Sequence, residues 1–177
     1  MRLKDKVILV TGSATGIGEA IAKRVVSEGG LVVVHGLEEN LVAHVSESLN
    51  EYAGNCRGEQ SVVAVGLVED LTVQGCPERL VRLAVDSFGR LDGLVNNAAV
   101  VTTGDISTTD YETLSHTLAV NTVAPLLLIQ AGLQYLRESK GCVLNIGSVN
   151  AYCGESNLLP YSISKGALMT LTRNLGD

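Results

Sequence analysis

Short runs of apolar, largely β-branched residues alternate along this chain with longer stretches whose apolar positions recur every three to four residues. The first run, Val7–Val10, sits between Lys6 and Thr11-Gly12, and four consecutive apolar side chains predict a strand covered on both faces. A helix is predicted over residues 17–28, stopped by Gly29-Gly30. Residues 31–35 form the second predicted strand. Residues 38–52 follow as a helix whose stripe is Leu41, Val42, Val45 and Leu49. Next come a strand over 61–65, a helix over 77–88 closed by Gly89, and a strand over 93–95. One long helix is predicted over 111–138, a strand over 142–146, and a last helix from near Pro160.

Strands and helices in strict alternation, with short connections, predict a parallel sheet with right-handed crossovers. The expected fold is α/β: one doubly wound Rossmann domain over residues 1–177, with helices on both faces. Ligands bind such sheets beyond the carboxyl ends of the strands. Composition narrows the picture. Aromatics are 3% of the chain, with no Trp and only Phe88 among phenylalanines, so the core must be Val, Leu, Ile and Ala. The net charge of −6 and scattered basic residues argue against a nucleic-acid partner. Cys56, Cys76, Cys142 and Cys153 lie far apart, which predicts free thiols and no metal site. The apolar stretch near the N-terminus is too short for a signal peptide, and no other segment is read as approaching a membrane span. The expected location is the cytoplasm.

The turn after the first strand reads Thr11-Gly12-Ser13-Ala14-Thr15-Gly16-Ile17-Gly18. Glycines there allow a tight turn and close approach of a pyrophosphate, and the helix that follows aims its amides at that charge. Further along come Asp70-Leu71, after the third strand, and Asn96-Asn97-Ala98-Ala99, after the fourth. Tyr161 and Lys165 stand four apart, which puts phenol and ammonium on one helical face. Ser148 lies thirteen residues before the tyrosine, and Asn121 lies within the long helix.

The GxxxGxG spacing, the Asn-Asn-Ala-Ala segment and the ordered Asn-Ser-Tyr-Lys set resemble the short-chain dehydrogenase/reductase family. The resemblance implies a hydride exchanged between NAD(P) and a small secondary alcohol or ketone. Gly12, Thr15, Gly16, Ile17 and Gly18 would hold the pyrophosphate. Asp70 and Leu71 would hold the adenine, although Asp70 also fits a turn or helix cap. Asn97 and Ala98 would line the adenosine side. Tyr161 would be the general acid and base, Lys165 would hold the nicotinamide ribose, Ser148 would polarise the substrate oxygen, and Asn121 would hold a relay water. An ammonium 4 Å from a phenolate contributes about 4 kcal/mol at an effective dielectric near 20. Pro125, four residues past Asn121, has no amide for the Asn121 carbonyl, so a helix there leaves that acceptor to water or a side chain, or simply kinks. His35, His44 and His116 form no set and read as surface or structural residues, and Ser162 and Ser164 as packing or capping residues.

Cofactor choice turns on the end of the second strand, His35-Gly36-Leu37-Glu38-Glu39. Leu37 is neither acidic nor basic, the glycine turn holds no Lys or Arg, and Glu38 is either a ribose ligand or a first-turn helix charge. The balance favours NAD, with NADP open. The alternative is a non-catalytic, dinucleotide-binding regulator on the same fold. By resemblance, the long helix and the one bearing Tyr161 would pair across a two-fold axis into a homodimer or homotetramer. A complete family member continues into a sixth strand and a segment that closes over substrate. The chain is therefore expected to be C-terminally incomplete, with an exposed fifth strand, and alone to aggregate or be marginally stable, with no measurable hydride transfer.

Overall fold

The computed structural model describes residues 1–57 and 62–176. The elements are β1 (Val7–Val10), α1 (Gly16–Ser27), β2 (Leu31–Gly36), α2 (Glu39–Arg57), β3 (Ala64–Val68) and α3 (Cys76–Phe88), followed by β4 (Gly93–Asn96), α4 (Tyr111–Leu118), α5 (Ala124–Ser139), β5 (Cys142–Asn145) and α6 (Leu159–Leu175). The strands form one sheet in the order β3-β2-β1-β4-β5, with every pairing parallel. This is the doubly wound Rossmann-type fold.

Successive strand side chains point to opposite faces, and both faces are covered. Ile8 and Val10 enter a core with Ala22 and Val25 of α1 and Val42 and Val45 of α2. Val7 and Leu9 enter a second core with Leu80 and Val81 of α3 and Leu128 and Ile129 of α5. Leu9, Leu80, Leu94 and Leu128 are fully buried, each contributing about 1.5–3 kcal/mol. Because β1 pairs with β2 on one side and β4 on the other, the strand order reverses at its carboxyl end. That end carries the glycine turn. At the opposite end Asp92 ties the two central strands together, accepting from the Val7 amide at 3.0 Å, Lys6 Nζ at 2.8 Å and Arg90 Nε at 2.7 Å.

Four expectations change. The third strand runs over Ala64–Val68 rather than 61–65, and Ser61 lies outside the described residues. The Asn50 side chain explains the shift: its Oδ1 accepts from the Val63 and Ala64 amides and its Nδ2 donates to the Ala64 carbonyl. This clasp occupies the segment's start, and the ladder with β2 runs on to Val68. The second helix starts one residue later than expected and continues to Arg57, because Ala53 extends the buried stripe of Val42, Val45 and Leu49. The long helix is not uniform. A π-helical turn over Ala119–Val123 separates α4 from α5, with the Ala124 amide donating to the Ala119 carbonyl. Pro125 withholds the amide that an α-helix would direct at Asn121, and the chain responds with the wider turn.

Finally, the 29-residue run Tyr111–Ser139 contains an 18-residue window of mean hydropathy 1.3 and is long and apolar enough to cross a membrane, contrary to expectation. Here that apolarity packs the core: Ala124, Leu128, Ile129 and Leu136 are buried against the sheet and α3.

Candidate functional site

The glycine turn is held from below by the segment after β4. The Asn97 and Ala98 amides donate to Thr11 Oγ1 at 3.0 and 3.1 Å, and Asn97 Nδ2 donates to the Thr11 and Gly12 carbonyls at 2.9 and 3.0 Å. Asn97 and Ala98 therefore support the turn, and both also line the cleft above it. Gly12 has a φ of +61°, and a Cβ on it would lie 2.9 Å from Ala98 Cα. A Cβ on Gly18 would collide with the Gly12 carbonyl and lie 2.6 Å from Asn97 Nδ2. Neither position can carry a side chain without moving the turn. No side chain caps the N-terminus of α1, where Thr15 is extended, so its first amides are left for an anion.

Above the turn opens a cleft of about 480 Å³, lined by Gly12, Thr15, Gly16, Ile17, Asp70 and Leu71 among others. Leu37 and Glu38 form its rim and are exposed. Glu38 precedes α2 and offers its carbonyl to the Leu41 and Val42 amides. Asp70 is both a turn residue and a cleft residue. Its Oδ1 accepts from the Thr72 amide and hydroxyl, each at 2.8 Å. Those bonds hold the Asp70 carboxyl below the usual carboxylate range.

His35 is the cleft residue whose part in the site was not foreseen. It is 2% exposed, its Nδ1 accepts from the Gly12 amide at 3.1 Å, and its Nε2 bonds to the Glu69 carbonyl at 2.8 Å. A histidine inside a valine strand must find partners for both ring nitrogens. That was the available signal, although the strand alone does not say what the partners are.

The four residues of the Asn-Ser-Tyr-Lys set converge where β5, α6 and the π turn meet, linked largely through the main chain. Asn121 is 1% exposed. Its Oδ1 accepts from the Val100 amide at 2.9 Å, and its Nδ2 donates to the Val100 carbonyl at 2.9 Å and to Ser164 Oγ at 3.0 Å. The Asn121 side chain is thus occupied by protein partners. Ser164 is a joint: its hydroxyl also donates to the Tyr161 carbonyl at 2.7 Å. Lys165 is 2% exposed. Its Nζ donates to the Ile146 carbonyl at 2.7 Å, at the end of β5, and lies 5.7 Å from the centre of the Tyr161 ring. Burial pushes the Lys165 ammonium below its ordinary value. Ser148, two residues past Ile146, accepts from the Asn150 amide and donates to Asn150 Oδ1, both at 3.2 Å. Among the described residues, the Ser148, Tyr161 and Lys165 side chains make no hydrogen bond to one another.

The chain matches the short chain dehydrogenase family over residues 6–177. It belongs to that family. It is 32% identical over 99% of its length to an uncharacterized oxidoreductase of Thermotoga maritima. It is 30% identical over 98% of its length to meso-2,3-butanediol dehydrogenase of Serratia marcescens, and 39% identical over 98% to dehydrogenase/reductase SDR family member 4 of Sus scrofa. The chain spans 66%, 65% and 60% of those three proteins.

Proposed function

We propose that this domain serves reversible oxidation of a small secondary alcohol to a ketone, with Tyr161 as the proton-transferring group. The observation that carries the reading is the buried Lys165 ammonium, fixed to the end of β5 beside the Tyr161 ring. A bound nicotinamide dinucleotide supplies the hydride acceptor or donor. The cleft fits its adenosine and pyrophosphate half: the uncapped α1 amides, Thr15, Gly16, Ile17 and the closely packed Gly12 and Gly18 receive the phosphates. Asp70 and Leu71 take the adenine end. Lys165 favours the Tyr161 phenolate electrostatically and holds the ribose. Ser148 orients the substrate oxygen. Asn121 fixes the segment after β4 against α6, and its carbonyl holds the relay water. The neutral and acidic rim of Leu37 and Glu38 supports NAD over NADP.

The butanediol dehydrogenase among the relatives is in keeping with a secondary alcohol as substrate. Exposed Val123, Leu127 and Ile163 on the outer faces of α5, its preceding π turn and α6 support a symmetric dimer or tetramer, with the cytoplasm as the proposed location. The test is Tyr161→Phe in the full-length protein. Turnover is expected to fall by at least about a thousandfold with cofactor affinity little changed. Retained turnover would remove Tyr161 from the proton path.

A further inference from the structure

A polar ring at the end of β2 is joined to both halves of the proposed dinucleotide cleft. An amide can only donate, so the 3.1 Å contact from Gly12 obliges His35 Nδ1 to accept. The proton must then sit on Nε2, where it donates to the Glu69 carbonyl at 2.8 Å. The His35 main chain repeats the attachment. Its amide donates to Ser13 Oγ at 3.0 Å and its carbonyl accepts from the Ser13 amide at 2.8 Å, while Ser13 Oγ donates to the Val10 carbonyl at 2.7 Å. One residue thus ties the glycine turn after β1 to the Glu69-Asp70 segment after β3, across the intervening strand. Gly12 has no side chain to steady it, so the His35 ring limits rotation of its peptide.

We infer that His35 is a positioning residue for the dinucleotide, and that only its neutral ring, protonated on Nε2, sets the spacing between the glycine turn and the Asp70 loop. This inference rests on the proposed dinucleotide reading of the cleft. A second proton would go onto Nδ1, turn it into a donor facing the Gly12 amide, and break the contact. The charged groups acting on the ring are the Glu69 and Asp70 carboxylates after β3; Arg79 and Cys76 of α3 bear on Glu69, and Glu38 just before α2 and His116 of α4 line the same cleft. Burial pushes the ring below its ordinary value, opposed by the Glu69 carbonyl and by the charges of Asp70 and Glu69. The folded value is therefore below that of a free histidine. The clasp is fully formed above about pH 6.5 and is lost as pH falls through the lower folded value.

The two nitrogens can be separated by substitution. Asn places an acceptor near the Nδ1 position and cannot be protonated, whereas Leu keeps the bulk and removes both contacts. In the full-length protein, NADH and NADPH affinities are measured by calorimetry from pH 5.5 to 8.5. The native protein should hold a constant affinity above about pH 6.5 and lose it on the acid side. His35→Asn keeps the Gly12 contact and loses the Glu69 one, so at pH 8 it should bind between native and His35→Leu, and it should lose the acid decline. His35→Leu should bind at least tenfold more weakly at pH 8, with KM for the dinucleotide raised and kcat within about threefold. Nitrogen-15 spectra of the histidine-labelled native protein should show a protonated Nε2 and a bare Nδ1. If His35→Leu fails to fold, the Asn variant and the spectra carry the test.

An acid decline that survives in His35→Asn would assign it to His116 or another group and overturn the inference alone. A protonated Nδ1 at pH 8 would do the same, as would native-like binding by a folded His35→Leu. A native protein that binds neither dinucleotide at pH 8 overturns the dinucleotide reading and the inference with it. The spectra would then still report the tautomer.

Discussion

Replacing Asn121 by Ala tests whether the site is built on a clamp rather than on a solvent-facing amide. The side chain makes three hydrogen bonds, of 2.9, 2.9 and 3.0 Å, and is 1% exposed. Two of them satisfy the amide and carbonyl of a single residue, Val100. Truncation strands both, at about 1–3 kcal/mol each when buried. Ser164 keeps its bond to the Tyr161 carbonyl, so its share of the loss is small. Val100 is only half-buried, and water reaching it lowers the total to about 2–4 kcal/mol. For a chain of this size each kcal/mol moves the melting point by roughly 2–4 °C. The expected drop is therefore roughly 4–16 °C, read by circular dichroism. Val100→Ala is the control: it keeps the main-chain pair, so Asn121→Ala should melt well below it. If Asn121→Ala melts within about 2 °C of native, the clamp does not carry the stability argued here.

Leu37→Arg places a guanidinium at the rim, where a 2′-phosphate would lie, and should shift the ratio of NADP to NAD affinity upward by about tenfold or more. A native protein that already prefers NADP tenfold would sink the assignment of NAD. The outer apolar residues Val123, Leu127 and Ile163 predict that the full-length protein scatters light as a dimer or tetramer at micromolar concentration. A monomeric mass would refute this.

The sheet was readable from the chain because its evidence is periodic. Four-residue apolar runs at 7–10 and 31–34 leave little choice of element, and the glycines that close helices mark the crossovers. What escaped is what depends on partners distant in sequence. The third strand was misplaced by three residues because Asn50, from another element, takes over the start of the segment. The π turn was half-legible. Pro125 announces a missing amide, but whether the chain kinks or widens is settled by the packing around Ala124 and Leu128. In the candidate site, residue types and spacing named the four catalytic candidates. They could not say that Asn121 turns its side chain on Val100, or that Lys165 is anchored by the Ile146 carbonyl. Both partners are main-chain atoms and leave no mark in residue identity. His35 stands between these cases. Its polarity within Val32, Val33 and Val34 signals a structural demand, and only the sheet order brings Gly12 and Glu69 to its two sides.

The two halves of the site rest on unequal foundations. The glycine turn leaves β1, whose residues Val7, Leu9 and Val10 are fully buried and whose backbone is paired on both sides. Ile146 and Ser148 leave β5, which pairs only with β4 among the described residues and exposes Val143 and Leu144 by 36% and 52%. An edge strand opens without disturbing the rest of a sheet, whereas a central strand opens only when the sheet does. In the 177-residue chain, amides of β5 and of the Ile146–Ser148 turn should exchange with solvent at least about tenfold faster than those of β1, equivalent to an opening easier by about 1.4 kcal/mol. Lys165 would lose its anchor in those openings while the glycine turn stayed closed. Conditions that loosen the edge should then reduce turnover before they reduce binding at the pyrophosphate end. Equal protection of β1 and β5 in hydrogen-exchange spectra would mean that the two halves open together, and the separation argued here would fail.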